Sequence, residues 1–137
     1  MTMAQNKKFK RDLDFLIKKA GGNATQYIKA IALRVDVSLV DKSAVDTGRF
    51  RANWNLSINA IDTSTTEDKD KEGRVTIAKS FAALSAFRLG DTINITNSLP
   101  YALRLEYGYS KQKPLGMVRL TISELGEYFS TEAAKLR

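Results

Sequence analysis

The residues whose types and spacing could do chemistry lie in two stretches, VDTGRFRANW at 45–54 and ITNSLPYALRLEYGYSKQKPLGM at 95–117. Together they hold both prolines, the single tryptophan, three of the five tyrosines and three of the eight glycines. The first contains Asp46-Thr47-Gly48, the triplet that carries the catalytic aspartate of aspartic proteases. That chemistry needs two aspartates meeting across a dyad, each in an apolar turn that lets the pair share one proton. Arg49 and Arg51 follow at once, and cations that near favour two ionised carboxylates over a shared proton. Read as structure, Asp46 and Thr47 offer acceptors to free backbone N–H groups where an element begins, and Gly48 permits a turn that a side chain would oppose. The expectation is a structural corner of Asp46, Thr47 and Gly48, capped by the first two, leading into a strand that begins at Trp54.

Other catalytic arrangements lack their parts. Histidine and cysteine are absent, which removes Ser-His and Cys-His pairs, disulfides and thiolate metal sites. Neither GxGxxG nor GxxxxGK[ST] occurs, so no phosphate-cradling loop is predicted. The acidic run around Glu67, Asp68, Asp70 and Glu72 is broken by Lys69 and Lys71 and lacks the oxygen-ligand spacing of a calcium loop. Glu106, Glu124 and Glu127 read as solvated or salt-bridged. The sequence therefore assigns no catalytic residue, cofactor or metal, and it predicts no enzyme.

Binding is better supplied. Arg49, Arg51, Trp54, Tyr101, Arg104, Tyr107, Tyr109, Lys111 and Lys113 interleave cations with aromatics, as a nucleic-acid face does. The same residue types are over-represented in protein interfaces. A net charge of +7 and a pI near 9.7 favour a polyanion or an acidic protein face nearby. The excess is richest before Val45, where solvated helix faces are its plainest explanation.

These residues need elements to hold them. The 137 residues, 43% apolar, fit a single domain, 1–137, with one modest core. No apolar run approaches a membrane span, and the cationic start lacks the apolar segment of a signal peptide. Phe9, Leu13, Leu16, Ile17 and Ala20 repeat at three and four, predicting a helix over 7–20 that Gly21-Gly22 stops. A second helix is expected from Ala24 to near Lys42, burying Tyr27, Ile28, Ile31, Val35 and Leu39. Residues 54–61 alternate as a half-buried strand. Residues 62–73 read as an exposed polar loop, disordered alone and ordering on docking. A short strand at 74–77, a helix over 78–89, a strand over 92–96, a brief helix over 100–108 ended by Gly108 and a last helix from Pro114 complete the chain. Val118, Ile122, Leu125, Phe129, Ala133 and Leu136 form the last helix's stripe. The fold class expected is α+β, a small central antiparallel sheet packed by N-terminal and C-terminal helices. So few strands leave open edges that a neighbouring copy would relieve.

Taken in order, Asp46, Thr47, Gly48, Arg49, Arg51 and Trp54, then Asn97, Pro100, Tyr101, Ala102, Glu106, Gly108, Pro114, Gly116 and Met117, resemble the tail-completion or head-to-tail joining proteins of long-tailed bacteriophages. The family's pattern is a PVDTGxLRxSW-like corner, an N-x-x-x-Y-A-x-x-x-E-x-G segment and a P-x-G-M-like turn. Ala44 stands where a proline often precedes the corner. The resemblance covers roughly residues 45–121. It implies a non-enzymatic neck subunit, in the virion and, during assembly, in the host cytoplasm. It further implies a hexameric ring of copies contacting the tail-terminator or tail-tube protein, with head connector proteins and threaded DNA as further neighbours and no membrane. Under it, Trp54 and Tyr101 pack near each other in the core. Arg49, Arg51 and Arg104 point to a neighbour or to Glu106, and 107–117, with Tyr107, Gly108, Tyr109, Pro114, Gly116 and Met117, serves as a contact loop. The alternative is a small basic nucleic-acid-binding domain.

Overall fold

Apolar residues at helical spacing near both ends and two short alternating runs between them build the fold. The computed structural model describes residues 3–21, 24–43, 45–106 and 117–136. In chain order the elements are α1 (Met3–Ala20), α2 (Ala24–Lys42), α3 (Arg49–Ala52), β1 (Trp54–Ile58), α4 (Arg74–Leu84), β2 (Ile93–Asn97), α5 (Ala102–Glu106) and α6 (Met117–Leu136). The two strands pair antiparallel, Trp54 opposite Asn97 and Ile58 opposite Ile93, which makes this an α+β fold around a two-stranded sheet.

Helix α2 packs against α1 and α6 on one side and against α4 and β1 on the other. Its fully buried residues are Ala32, Asp36, Leu39 and Val40; of the face expected, only Leu39 is among them. Tyr27, Ile31 and Val35 are half-buried against Leu16, Leu125, Phe129 and Ala133 of α1 and α6. A second cluster joins Ala32, Leu56 and Leu84, where α2, β1 and α4 meet. A third joins Leu39, Val40, Phe50, Trp54 and Leu99 around the corner. Fully burying side chains of this size stabilises by about 1.5–3 kcal/mol each. The last helix buries only the middle of its stripe, because Val118, Ile122 and Leu136 remain exposed.

Three expectations are corrected. One turn of helix, α3, stands between the corner and β1. β1 ends at Ile58 because Asn59 turns into the left-handed region at φ 65, a conformation asparagine tolerates. Its N–H donates to the Thr92 carbonyl at 2.7 Å and its side-chain oxygen accepts from the Thr92 N–H at 2.9 Å. Residues 74–77 are helical, not strand: Asp70 accepts from the N–H groups of Gly73 and Thr76 at 3.1 and 2.8 Å. That satisfies free donors at the start of α4 and overrides the strand preference of Val75, Thr76 and Ile77.

Candidate functional site: the corner at the end of α2

Gly48 sits at φ 91 before α3, and its lack of a side chain lets another segment reach it. A Cβ there would lie 2.4 Å from the Lys71 nitrogen and 2.7 Å from the Asp70 backbone. The Gly48 carbonyl accepts from the Asp70 N–H at 3.0 Å. Segment 62–73, expected to be loose, is thus held on the corner. Asn53, almost fully buried, completes the join: its amide donates to the Thr66 carbonyl at 3.0 Å and the Arg49 carbonyl at 2.7 Å, and its oxygen accepts from the Thr66 N–H at 2.8 Å.

The arginines do not reach outward. Arg51 donates to the carbonyls of Lys71 at 2.7 Å, Asp41 at 2.9 Å and Ser43 at 3.3 Å. A planar guanidinium suits this task, since its donors form a fixed fork and its charge complements the partial negative charge at the end of α2. Arg49 donates to the Thr66 carbonyl at 3.3 Å and pairs with Glu67 at 3.1 Å. Both cations fasten the corner, and Arg49 pairs with Glu67 where Glu106 was expected.

The capping expectation holds for one residue of two. Thr47 accepts from the Arg49 N–H at 3.2 Å, whereas Asp46 is exposed and the N-cap residue itself, Gly48, has no side chain to offer. Capping by an aspartate is seen instead at the start of α4, two elements later, where Asp70 does it. Trp54 is buried and donates from Nε1 to the Ser43 hydroxyl at 2.8 Å, and the Ser43 hydroxyl in turn donates to the Leu39 carbonyl at 2.7 Å. Trp54 and Tyr101 share a neighbour instead of touching: the Phe50 ring lies 6.0 Å from Trp54, edge-on, and 5.8 Å from Tyr101. Asn97 donates to the Phe50 carbonyl at 3.0 Å, so the two sequence stretches converge here.

Tyr101, 36% exposed, opens onto α5, where Leu103 is 71% exposed and Arg104 is exposed beside it. Glu106 accepts from the Val118 N–H at 2.7 Å, tying α5 to the first turn of α6. Met117 is the first residue of α6. Tyr107, Gly108, Tyr109, Pro114 and Gly116 lie outside the described residues.

Sequence reasoning missed two buried carboxylates and one groove. Asp12 on α1 is buried and receives Lys8 at 2.8 Å. Asp36 on α2 is fully buried, and neither carboxylate oxygen has a hydrogen-bond partner. Burial pushes its pKa up to about 6, against a smaller lowering by the nearby Ser80 hydroxyl. A valine on either side of Asp36 was the available signal. An open groove of about 560 Å³ runs between α2 and α6, with Leu33, Val37 and Leu125 in its lining. The Ser38–Thr121 hydrogen bond at 2.9 Å and the Lys42–Glu124 ion pair at 2.8 Å cross between the same helices. Comparison with known proteins finds no matching family model, no matching curated protein and no matching solved structure.

Proposed function

We propose that this chain is a non-enzymatic structural subunit that completes the tail of a long-tailed bacteriophage and joins it to the head, working as a ring of copies. One observation carries the reading. The two stretches that bear the resemblance are separated by segment 62–73 and α4, yet they close on one corner through Phe50, Asn97 and Tyr101. A pattern whose parts meet in space has a single structural task. The face beside it, Tyr101, Leu103 and Arg104 on and before α5, is exposed and of the types that interfaces favour. A two-stranded sheet is also marginal by itself and gains from a neighbour. In this reading the neighbours are further copies and the tail-terminator or tail-tube ring, with head connector proteins beyond.

Size-exclusion chromatography with light scattering, for the chain alone and with isolated tails, tests the proposal. Co-elution with tails and imaging of the chain at the tail's head-proximal end are expected. A monomer that ignores tails and binds DNA would overturn it and leave the nucleic-acid reading. That second reading draws on α1, where Lys7, Arg11 and Lys18 are exposed at spacings of four and seven and hold no ion pair among the described residues. It no longer draws on Arg49 and Arg51, which the corner engages. Contacts to phosphate through α1 would weaken steeply with added salt, and Lys7→Glu with Arg11→Glu would flatten that dependence.

A further inference from the structure

Helix α4 faces the core with Leu84 and the half-buried Ile77 but also with two hydroxyls. The residues it buries are Thr76, Ser80 and Leu84, whereas Val75 and Phe81 are 66% and 67% exposed and Ala78 and Ala82 face solvent with them. An ordinary surface helix turns its large apolar side chains to the core and its hydroxyls to solvent. On the far side of the α2–α4 seam stands Asp36, fully buried among Ala32, Leu39 and Val40, with both oxygens unpartnered and the Ser80 hydroxyl as its polar neighbour.

Among the described residues no cation pairs with that carboxylate. On α4 and the segment before it, Arg74 pairs with Glu72, Lys79 acts on Asp62, and Asp70 is closed by Gly73 and Thr76. The strands β1 and β2 carry no charged residue. Arg49 and Arg51 of α3 hold the corner. On α1 and α6, Lys8 is with Asp12, Lys10 with Asp14, Lys42 of α2 with Glu124, and Lys135 with Glu132. A buried ionised carboxylate with no more than the Ser80 hydroxyl near it is strongly unfavourable, while its protonated form is a neutral group able to donate to a hydroxyl.

We propose that the α2–α4 seam is a proton-operated latch. With Asp36 protonated, the neutral carboxyl stays buried beside Ser80 and α4 lies closed on α2. When Asp36 loses its proton, α4 lifts from the seam, water reaches the carboxylate, and the apolar outer face of the helix is freed to move. The latch acts on the α2–α4 seam; Ile77 of α4 also packs against the corner cluster, whereas the α1–α6 cluster takes residues from α1, α2 and α6 only. The latch is independent of what the assembled protein joins.

The test is hydrogen exchange on the full chain, with opening constants for amides 77–84 corrected for the intrinsic pH dependence of exchange. With an ordinary carboxyl in the open state and one titrating at about 6 in the closed state, opening should rise on the order of 50- to 100-fold between pH 4 and pH 8. The amides of α1 and α6 should not follow. In Asp36→Asn the rise should vanish. Carbon-13 titration of the Asp36 carboxyl in the unaltered chain, which needs no variant, should show a midpoint near that of the opening. An unchanged pH dependence in Asp36→Asn, a titration in the usual aspartate range, or an equal rise in α1 and α6 would each overturn the latch.

Discussion

Two aspartates border the same helix in opposite conditions. Asp70, beside the first turn of α4, accepts from the Gly73 N–H and from both the N–H and the hydroxyl of Thr76, at 3.1, 2.8 and 2.8 Å. Burial by itself raises its pKa, but these hydrogen bonds, with one from the Val75 N–H, hold it below the usual carboxylate range. Asp36 faces the middle of that helix and receives none. The difference follows from where a helix has donors to give. The first N–H groups have no partner within the helix, whereas interior ones are already bonded to the preceding turn. A carboxylate at the end of α4 is therefore a cap, and one against its side is an uncompensated charge.

The strongest way to break the well-bonded side is Gly48→Ala. The added carbon would strike the backbone of Asp70 and Lys71 and force a side chain to φ 91, so a loss on the order of 3 kcal/mol or more is expected in urea unfolding. The other side is sharpened by Asp36→Asn, which should gain about 2–3 kcal/mol at pH 8 and nearly nothing at pH 4. The sign follows from a folded-state pKa of about 6, above the 3.8 of an ordinary aspartate. Stability from the protonated form is complete below the lower value and lost as pH rises through the higher one. Asp70→Asn should cost about 1–2 kcal/mol at neutral pH by weakening its hydrogen bonds. Its contribution has the opposite sign with pH, present above the ordinary carboxylate range and lost as pH falls through the depressed value. Smallest is Asp46→Ala. An exposed carboxylate that caps nothing among the described residues should change unfolding free energy by less than about 0.5 kcal/mol.

The comparison also explains what was legible in the sequence. Alternation at Trp54, Leu56 and Ile58 and at Ile93 and Ile95 read correctly as strands, because period-two contrast survives whichever element covers the sheet. The stripes of α1, α2 and α6 read as helices for the same kind of reason. Segment 62–73 did not read as part of the corner, because its backbone contributes most of the contacts: the Thr66 and Lys71 carbonyls and the Thr66 and Asp70 N–H groups. Backbone groups are the same at every residue, so composition reports only that the side chains are polar. The arginines were placed outward because a cation's default is solvent, and nothing local says that the end of α2 and the Lys71 carbonyl lie within reach of Arg51. Asp36 had only its two flanking valines to mark it, as its burial depends on α4 arriving from more than thirty residues later. The one-turn helix α3 was too short for any periodicity to mark.

The corner's arrangement matters to function only if the chain is built into a neck, and particle assembly reads that most directly. Electron microscopy of lysates in which this chain's gene is interrupted should show filled heads and separate tails that fail to unite, with joining restored when the purified chain is added back. Normal, infectious, fully joined particles in its absence would contradict the account.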